Sequence, residues 1–269
     1  MPQHSLMDFS SPKRRLIMGA SAIALAAGLW FWPLATRSAN MLPAAPAPAG
    51  LHGTYSTNFP RAENPISEHG KWSNGQKDGL DWADVRTKPG FAFGTEIGGS
   101  RPEPQKYDDS TAILTGTWGP DQTVQATVHS VNQNKDGKVW EEVELRLRSS
   151  LSAHNATGYE VMFRCAKTPQ AYCNIARWEG GLGKFSYVKQ VGGSQYGVAD
   201  GDVVKASIIG NVITVYINGV QMFQATDDTF KSGNPGMGFF IDGATGVNGD
   251  FGFSSFMATD TPHSPPTRN

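Results

Sequence analysis

The segment from Val139 to Glu179 constrains the fold most, because its residues alternate between apolar and polar with a period of two. In the run VWEEVELRLRSS the apolar parity is formed by Val143, Leu145 and Leu147, and the runs GYEVMFRC and CNIARW alternate in the same way. Such a period is typical of β-strands with one buried and one solvent-facing side. We predict three consecutive antiparallel strands that share one apolar and one polar face.

The chain has two cysteines, Cys165 and Cys173, and both have the apolar parity of this segment. They are separated by AKTPQAY, a polar loop with a proline that suits a hairpin connection. We therefore expect the two cysteines to oppose each other and to form a disulfide. The same register places Glu160 opposite Trp178.

The polar face of the three strands carries charged side chains. Centring the preceding connection on His154 places Arg148 opposite Glu160 and Glu144 opposite Arg164. Opposite charges on neighbouring antiparallel strands stabilise a sheet by roughly 0.2–1 kcal/mol per pair. Two interpretations remain open: the face is a ligand-binding trough with charged walls, or it is a solvated face that salt bridges hold in register.

The run DQTVQATVHS comes before this segment and also alternates. The NKDGK sequence between them is typical of a turn that returns the chain as a hairpin. We expect this hairpin to place Gln125 near Glu144 and His129 near Trp140, on the polar face.

Two tight turns are indicated further on, in DVVKASIIGNVITVYINGVQMF. A turn at Gly210-Asn211 leaves only apolar residues on the buried face. A second turn is predicted at Asn218-Gly219, because both central positions of a type I′ turn need φ > 0. The predicted pairs are Val204 with Ile217, Ala206 with Val215, and Ile208 with Ile213.

Composition and the N-terminus bear on location and partners. Charged residues make up 17% of the 269 residues and the net charge is −1, so nothing in the sequence recruits nucleic acid. Three basic residues at 13–15 precede an apolar run from Leu16 to Trp32, as in an export signal. We expect a location outside the cytoplasm, periplasmic or secreted, with membrane contact only through an uncleaved N-terminal segment. The predicted organisation is a signal peptide or N-terminal membrane anchor (1–36), a Pro/Ala linker (37–50), one folded domain (51–260) and a disordered tail (261–269).

Three runs carry a resemblance to one superfamily. TNFPRAENPISEHGKW resembles the opening DDFNRADGPLGxxW of bacterial concanavalin A-like, laminin-G-like jelly-roll proteins; VYINGVQ is similar to their VYVNG hairpin, and SGNPGMGFF to their SGxPGIGF run. The resemblance spans roughly Phe59 to Thr259. It implies an all-β, two-sheet antiparallel jelly-roll sandwich that binds a polysaccharide or envelope glycan on its concave sheet or on rim loops. Thr57-Asn58 stand where the family has Asp-Asp.

Paired carboxylates are the catalytic arrangement that the sequence favours most. Glu142 and Glu144 lie two apart on one strand face, where carboxyl groups can approach the ~5–5.5 Å separation of a retaining glycosidase. EEVELR resembles the E-x-D-x-x-E run of jelly-roll glycosidases but lacks its aspartate and final glutamate. VELRLR resembles a strand of alginate-type lyases. A glycoside hydrolase or polysaccharide lyase would use Glu144 with Arg164 and His129.

Non-catalytic glycan recognition is the leading hypothesis, because the catalytic motifs are incomplete. An indole ring can stack on a sugar, and arginines bind acidic groups through paired N–H donors, so the arginines of the polar face favour an acidic glycan. Tyr107, Asp108 and Asp109 come just before a predicted strand and belong either to a rim loop or to a turn whose aspartates cap backbone N–H groups. An envelope structural or adhesion protein is a third class. The expected ligand contacts are Trp178, Arg146, Arg148, Glu142, Gln125, Asn174, Glu160 and Tyr107.

Metal binding is a further expectation. The six histidines lack zinc-site spacing, which argues against zinc. Jelly rolls of the type that this chain resembles commonly bind structural calcium, and Asp242, Asp250 or Glu63 could supply oxygen ligands.

Overall fold

The computed structural model describes residues 53–75, 81–97, 102–131, 139–243 and 246–261. The predicted export segment, the linker and most of the tail lie outside these residues, so those assignments remain predictions. No helix within the described ranges is long and apolar enough to cross a membrane.

The described residues form two antiparallel sheets. The strands are β1 (Thr54–Thr57), β2 (Trp72–Asn74), β3 (Val85–Lys88), β4 (Phe91–Gly94), β5 (Ser110–Leu114), β6 (Asp121–Ser130), β7 (Trp140–Ser152), β8 (Asn155–Arg164), β9 (Tyr172–Gly180), β10 (Phe185–Gly192), β11 (Val203–Ile209), β12 (Val212–Ile217), β13 (Val220–Thr226), β14 (Asn234–Asp242) and β15 (Phe251–Thr261). Strand order is β13-β12-β11-β6-β15-β4-β3 in one sheet, where β1 also pairs with β15, and β10-β9-β8-β7-β14-β5-β2 in the other. The two-sheet jelly-roll sandwich predicted from the sequence is confirmed.

The core lies between the two sheets and contains the side chains at the apolar positions of the alternating strands. Val143, Leu145 and Leu147 of β7 are fully buried. Phe239 of β14 packs against Phe253 of β15 across the sandwich, with ring centroids 5.3 Å apart. Burying side chains of this size contributes roughly 1.5–3 kcal/mol each. The polar parity of β7, β8 and β9 therefore lies on the outer face of the seven-stranded sheet, as the alternation predicts.

The pairing of β7 with β8 differs from the prediction by two residues. Glu142, and not Glu144, pairs with Arg164, and Arg146, and not Arg148, pairs with Glu160. A shift of two residues leaves every side chain on its predicted face. The charged residues of both strands therefore share one face, but with different neighbours.

A β-bulge in β7 accounts for one residue of this shift, and the tight turn that pairs Ser152 with Asn155 accounts for the other. The register changes between Leu147 and Ser150, and Arg148 within the bulge has a φ of 47°. Gly158 on β8 makes room for it, because a Cβ atom there would lie 2.6 Å from the Cα atom of Ser149. The extra residue turns the Arg148 side chain away from the polar face.

Strand β6 belongs to the other sheet, so the predicted hairpin with β7 is wrong. Both edges of β7 are already paired, with β8 and with β14. Gln125 instead pairs with residues of β11 and β15, and His129 Nδ1 lies 3.1 Å from Asp200 Oδ1. The chain passes from one sheet to the other between β6 and β7. Gln125 and His129 therefore do not join Glu144 and Trp140.

The predicted disulfide is also wrong. Cys165 and Cys173 are free thiols, and Cys173 pairs with Phe163 two residues from the expected register. Both cysteines face the core as predicted and are fully buried. Burial raises the pKa of each thiol well above its usual range, which keeps both thiols protonated.

Candidate functional site

A pocket opens on the outer face of the seven-stranded sheet, above β7, β8 and β9. It has a volume of about 60 Å³. The chain before β5 contributes part of its wall, through the segment that ends at Asp109. We call this site the acidic pocket; its lining residues are Tyr107, Asp109, Glu142, Glu144, Glu160, Met162, Trp178, Phe185, Tyr187 and Phe240.

The acidic pocket rests on a buried ion cluster centred on Arg146. Arg146 Nη2 lies 2.9 Å from Glu144 Oε2, 2.8 Å from Glu160 Oε2 and 3.6 Å from Asp109 Oδ2. The same nitrogen donates to Thr111 Oγ1 at 3.0 Å. All four charged side chains are at least nine-tenths buried. One guanidinium therefore faces three carboxyl groups with little solvent to screen them.

Two carboxyl oxygens of this cluster lack partners. Glu144 fits because it pairs with Gly238 on β14, where a Cβ atom would overlap Glu144 Oε2. Glu144 Oε1 and Asp109 Oδ1 are buried and accept no hydrogen bond from another protein group. Buried polar atoms in native proteins are nearly always paired, so these two oxygens mark a place where ligand donors can bind.

Burial shifts the carboxyl groups of the pocket toward their protonated forms. It raises the pKa of Glu144 and of Asp109 well above the usual range, and repulsion by the Glu160 carboxylate adds to this while Arg146 opposes it. Burial also raises the pKa of Glu142 to about 7. The Tyr172 hydroxyl donates to Glu142 Oε1, and burial keeps the pKa of Tyr172 well above its usual range. Tyr172 is therefore a hydrogen-bond donor and not a base.

Trp178 lines the acidic pocket, but not as an exposed platform. Only 2% of its surface is exposed, and its indole N–H donates to Glu160 Oε2 at 2.6 Å. Its ring packs against Trp82, with centroids 5.6 Å apart. Trp178 thus holds a carboxylate in place, and the predicted surface stacking must come from other rings.

Phe185, Tyr187 and Tyr107 supply those rings. Phe185 pairs with Trp178 and Tyr187 with Ala176 across β9 and β10, so both project onto the outer face. The Phe185 ring lies 5.2 Å from that of Tyr107 and 5.5 Å from that of Tyr187. Tyr187 is 47% exposed. Sequence reasoning missed Phe185 and Tyr187, although two aromatic residues of one parity in FSY indicate a shared face.

The arginines predicted to bind an acidic glycan have protein partners instead. Arg148 donates to three backbone carbonyls, those of Pro120, Phe230 and Gly210, at 2.6–2.8 Å. Arg164 donates to the Val139 carbonyl at 2.6 Å and lies over the rings of Trp140 and Tyr172. Neither lines the acidic pocket, and Arg146 is buried beneath it. The predicted preference for an acidic glycan loses its basis.

A shallow groove continues from the acidic pocket along β9 and β10. Its lining residues are Tyr172, Asn174, Tyr187, Gln190, Val191 and Gly192, so it shares Tyr187 with the pocket. Asn174 Oδ1 accepts from the Val191 N–H at 3.3 Å. The predicted contact residue Asn174 thus lies beside the pocket, at a place where an extended ligand could continue.

Comparison with known proteins identifies the fold. No family model matches the sequence, and neither does any curated protein. Among solved structures, the Emp46p carbohydrate recognition domain in its potassium-bound form has 13% identity, covers 77% of this chain and 97% of its own, and gives a TM-score of 0.50. This chain has the concanavalin A-like jelly-roll fold.

Two further structures are similar to this jelly roll. The carbohydrate-binding module CBM66 from Bacillus subtilis has 15% identity over 73% of this chain and 96% of its own, with a TM-score of 0.45. Porphyranase B from Zobellia galactanivorans has 11% identity over 78% and 94%, with a TM-score of 0.46. At these identities the likeness concerns the fold alone, so function must be argued from the site.

Within the described part of the chain, one cluster of acidic side chains is a candidate metal site. Asp109, Glu144 and Glu160 each offer an oxygen within 4.8 Å of the others. Arg146 Nη2 already lies among these oxygens and neutralises part of their charge. Of the predicted calcium ligands, Glu63 Oε2 accepts the backbone N–H groups of Ser67 and Glu68, both at 2.9 Å. Asp242 and Asp250 are not part of the cluster, and calcium remains a prediction.

Proposed function

We propose that this chain is a carbohydrate-binding protein that recognises a polysaccharide or envelope glycan at the acidic pocket. The observation that carries the proposal is the combination of buried, unpartnered carboxyl oxygens with a wall of aromatic rings. Sugars present hydroxyl donors around an apolar ring face, and the two features match these two properties.

The polar half of this match depends on Glu144 and Asp109. Leaving a buried acceptor unpaired costs roughly 1–3 kcal/mol, and a hydroxyl donated by a ligand recovers part of that cost. A bound sugar can therefore donate to acceptors that no other protein group reaches.

The apolar half depends on the rings at the mouth of the pocket. Tyr187 is accessible and lies where the pocket joins the groove along β9 and β10. Its ring can therefore contact both a sugar at the mouth of the pocket and the next unit along the glycan. Aromatic contacts of this kind contribute roughly 0.5–1.5 kcal/mol beyond area burial. This arrangement suits a chain of several sugars better than a single free sugar.

The predicted export segment supports a location where such glycans occur. We propose that the domain acts outside the cytoplasm, either released or attached through its N-terminal segment. The free thiols, which stay reduced because they are buried and apart in register, are compatible with this location.

A glycan-active enzyme is the second candidate, and one observation favours it. Glu142 and Glu144 project from the same strand into the pocket, and burial brings the pKa of Glu142 to about 7, a value suited to a general acid. The predicted partners do not support catalysis, because His129 lies on the other sheet and Arg164 is held by the Val139 carbonyl. Glu160 is also fixed by Arg146 and Trp178. Binding is therefore the better-supported function.

Titration calorimetry with a panel of polysaccharides, combined with product analysis, tests this proposal. Tyr187→Ala is expected to weaken glycan binding by roughly 1–2 kcal/mol, or about 5–30-fold, because the accessible ring is lost. Tyr216→Ala is the matched control, since Tyr216 is a tyrosine of β12 in the other sheet that stacks with Lys205.

The same experiment separates binding from catalysis. We expect no product from any glycan that binds. Turnover that falls roughly 10²–10⁴-fold in Glu144→Gln while affinity persists would establish an enzyme and contradict the binding proposal. Equal weakening by Tyr187→Ala and Tyr216→Ala would place the site elsewhere.

A further inference from the structure

The charge of the acidic pocket is unbalanced. Its described lining residues include four carboxylic side chains and no basic one. The guanidinium of Arg146 lies beneath three of the carboxyl groups and that of Arg164 attracts Glu142, so two positive charges face four carboxyl groups. A bound cation would favour the ionised forms of these buried carboxyl groups, whereas the hydroxyl groups of a neutral sugar would satisfy hydrogen bonds without doing so.

The vacant acceptors are arranged for a small group with several donors. Glu144 Oε1 and Asp109 Oδ1 are both buried and unpartnered. The pocket of about 60 Å³ holds a few water-sized groups. A substituent of a sugar therefore fits, and a whole sugar ring stays outside. An ammonium group is compact, donates three hydrogen bonds and carries the missing positive charge.

The aromatic wall also suits a cation. The rings of Tyr107, Phe185 and Tyr187 surround the mouth, and the negative faces of aromatic rings attract ammonium groups. Rings together with carboxylates are a common way in which proteins recognise amines, whereas an acidic sugar would meet repulsion here.

We propose that the glycan bound at the acidic pocket carries a free, protonated amino group, as in a non-acylated amino sugar, and that this ammonium group binds between Glu144 and Asp109. This inference rests on the proposed function and adds the ligand class. N-acetylation abolishes the positive charge, leaves one N–H donor and adds bulk that the recess does not hold.

Titration calorimetry with matched oligosaccharides tests the inference. The probes are β-1,4-linked glucosamine oligomers and N-acetylglucosamine oligomers of the same length, at a pH slightly below neutrality. A second pair built on galactosamine makes the result independent of one backbone. We expect the free amine to bind at least about 10-fold more tightly in at least one pair, the effect of one well-placed charged contact.

Two variants test whether the preference for the amine arises in the acidic pocket. Glu144→Gln is expected to reduce the preference for the amine at least about 5-fold, because it removes the charge and keeps the shape. Glu179→Gln is the matched control, since Glu179 lies on the opposite parity of β9 and is exposed. Thermal unfolding of each variant confirms that it is folded. Asp109→Asn provides a second test if Glu144→Gln does not fold, because Asp109 is the other proposed contact of the ammonium group.

The outcomes distinguish this inference from the proposed function. Equal or tighter binding of the N-acetylated oligomers would overturn the inference and leave glycan binding intact. Binding of neutral glycans at the acidic pocket without binding of either amine would do the same. Failure of every glycan to bind would overturn both.

Discussion

Replacing Arg146 with methionine is expected to lower the free energy of unfolding by roughly 3–5 kcal/mol at neutral pH, because it leaves buried carboxylates without their counter-ion. Arg146 Nη2 contacts Glu144, Glu160 and Asp109 within 2.8–3.6 Å. Methionine fills much of the same volume, so the loss comes from charge rather than from a cavity. Urea unfolding followed by tryptophan fluorescence measures the change.

Arg177→Met is the matched control for this prediction. Arg177 also contacts two carboxylates, Glu179 and Asp227, but its side chain is 26% exposed. Ion pairs at exposed positions contribute roughly 0.2–1 kcal/mol, so the control is expected to cost far less. At lower pH the carboxyl groups take up protons, and the deficit of Arg146→Met should shrink. An Arg146→Met protein as stable as the parent would show that the cluster is not held by charge.

The stability of the folded domain is expected to fall as the pH rises from about 5 to about 8. The pKa of Glu142 rises from 4.5 to about 7 on folding, and that of Glu141 does the same, in both cases chiefly through burial. A group whose folded pKa is raised contributes stability that is present below its unfolded pKa and is lost as the pH rises through its folded pKa. For the fully buried Glu142 this is worth roughly 2–3 kcal/mol across the interval, and for the less deeply buried Glu141 it is worth less.

Unfolding of isosteric variants at several pH values tests this dependence. Glu142→Gln and Glu141→Gln should each flatten the pH profile by removing one titrating carboxyl group. Asp227→Asn is the control, because its hydrogen bonds lower the pKa of Asp227, so that this group titrates below the interval. A parent protein that becomes more stable between these pH values would contradict the assignment of raised pKa values.

Much of the fold could be predicted from strand alternation and turn chemistry. The pairs of Ala206 with Val215 and of Ile208 with Ile213 are observed as predicted. Asn218 and Gly219 have φ values of 51° and 78°, as the predicted turn requires. Local sequence determines these features, since they need only neighbouring residues.

Register and sheet membership could not be predicted in the same way. The bulge at Arg148 depends on Gly158 of the next strand and on Gly233. Any residue with a Cβ atom at position 233 would overlap the Arg148 backbone. The sheet that β6 joins depends on which edges of β7 are free, which only the complete topology decides. The disulfide prediction failed for a related reason. Cys165 and Cys173 both face the core, as their parity predicts, but the register of β8 and β9 differs by two residues from the predicted one, so the two cysteines do not oppose each other.

The sequence predicted which residues of the site share one face of the sheet, but not how far these residues are buried. Parity alone brought Glu142, Glu144, Glu160 and Trp178 together, and all four line the acidic pocket. Parity could not show that the segment before β5 and strand β10 cover this face and bury the charges. Asp109 was predicted to lie in a rim loop or a capping turn, and its burial beside Arg146 depends on that covering segment.

A nuclear magnetic resonance titration of the seven tryptophan indole N–H signals tests the central claim most directly. The Trp178 indole donates to Glu160 inside the acidic pocket, whereas the Trp118 indole donates to the Thr115 carbonyl outside it. We expect a bound glycan to shift the Trp178 signal and to leave the Trp118 signal unchanged. The dissociation constant from the Trp178 shift should equal the one found by calorimetry. A glycan that binds by calorimetry without moving the Trp178 signal would contradict the assignment of this pocket as the binding site.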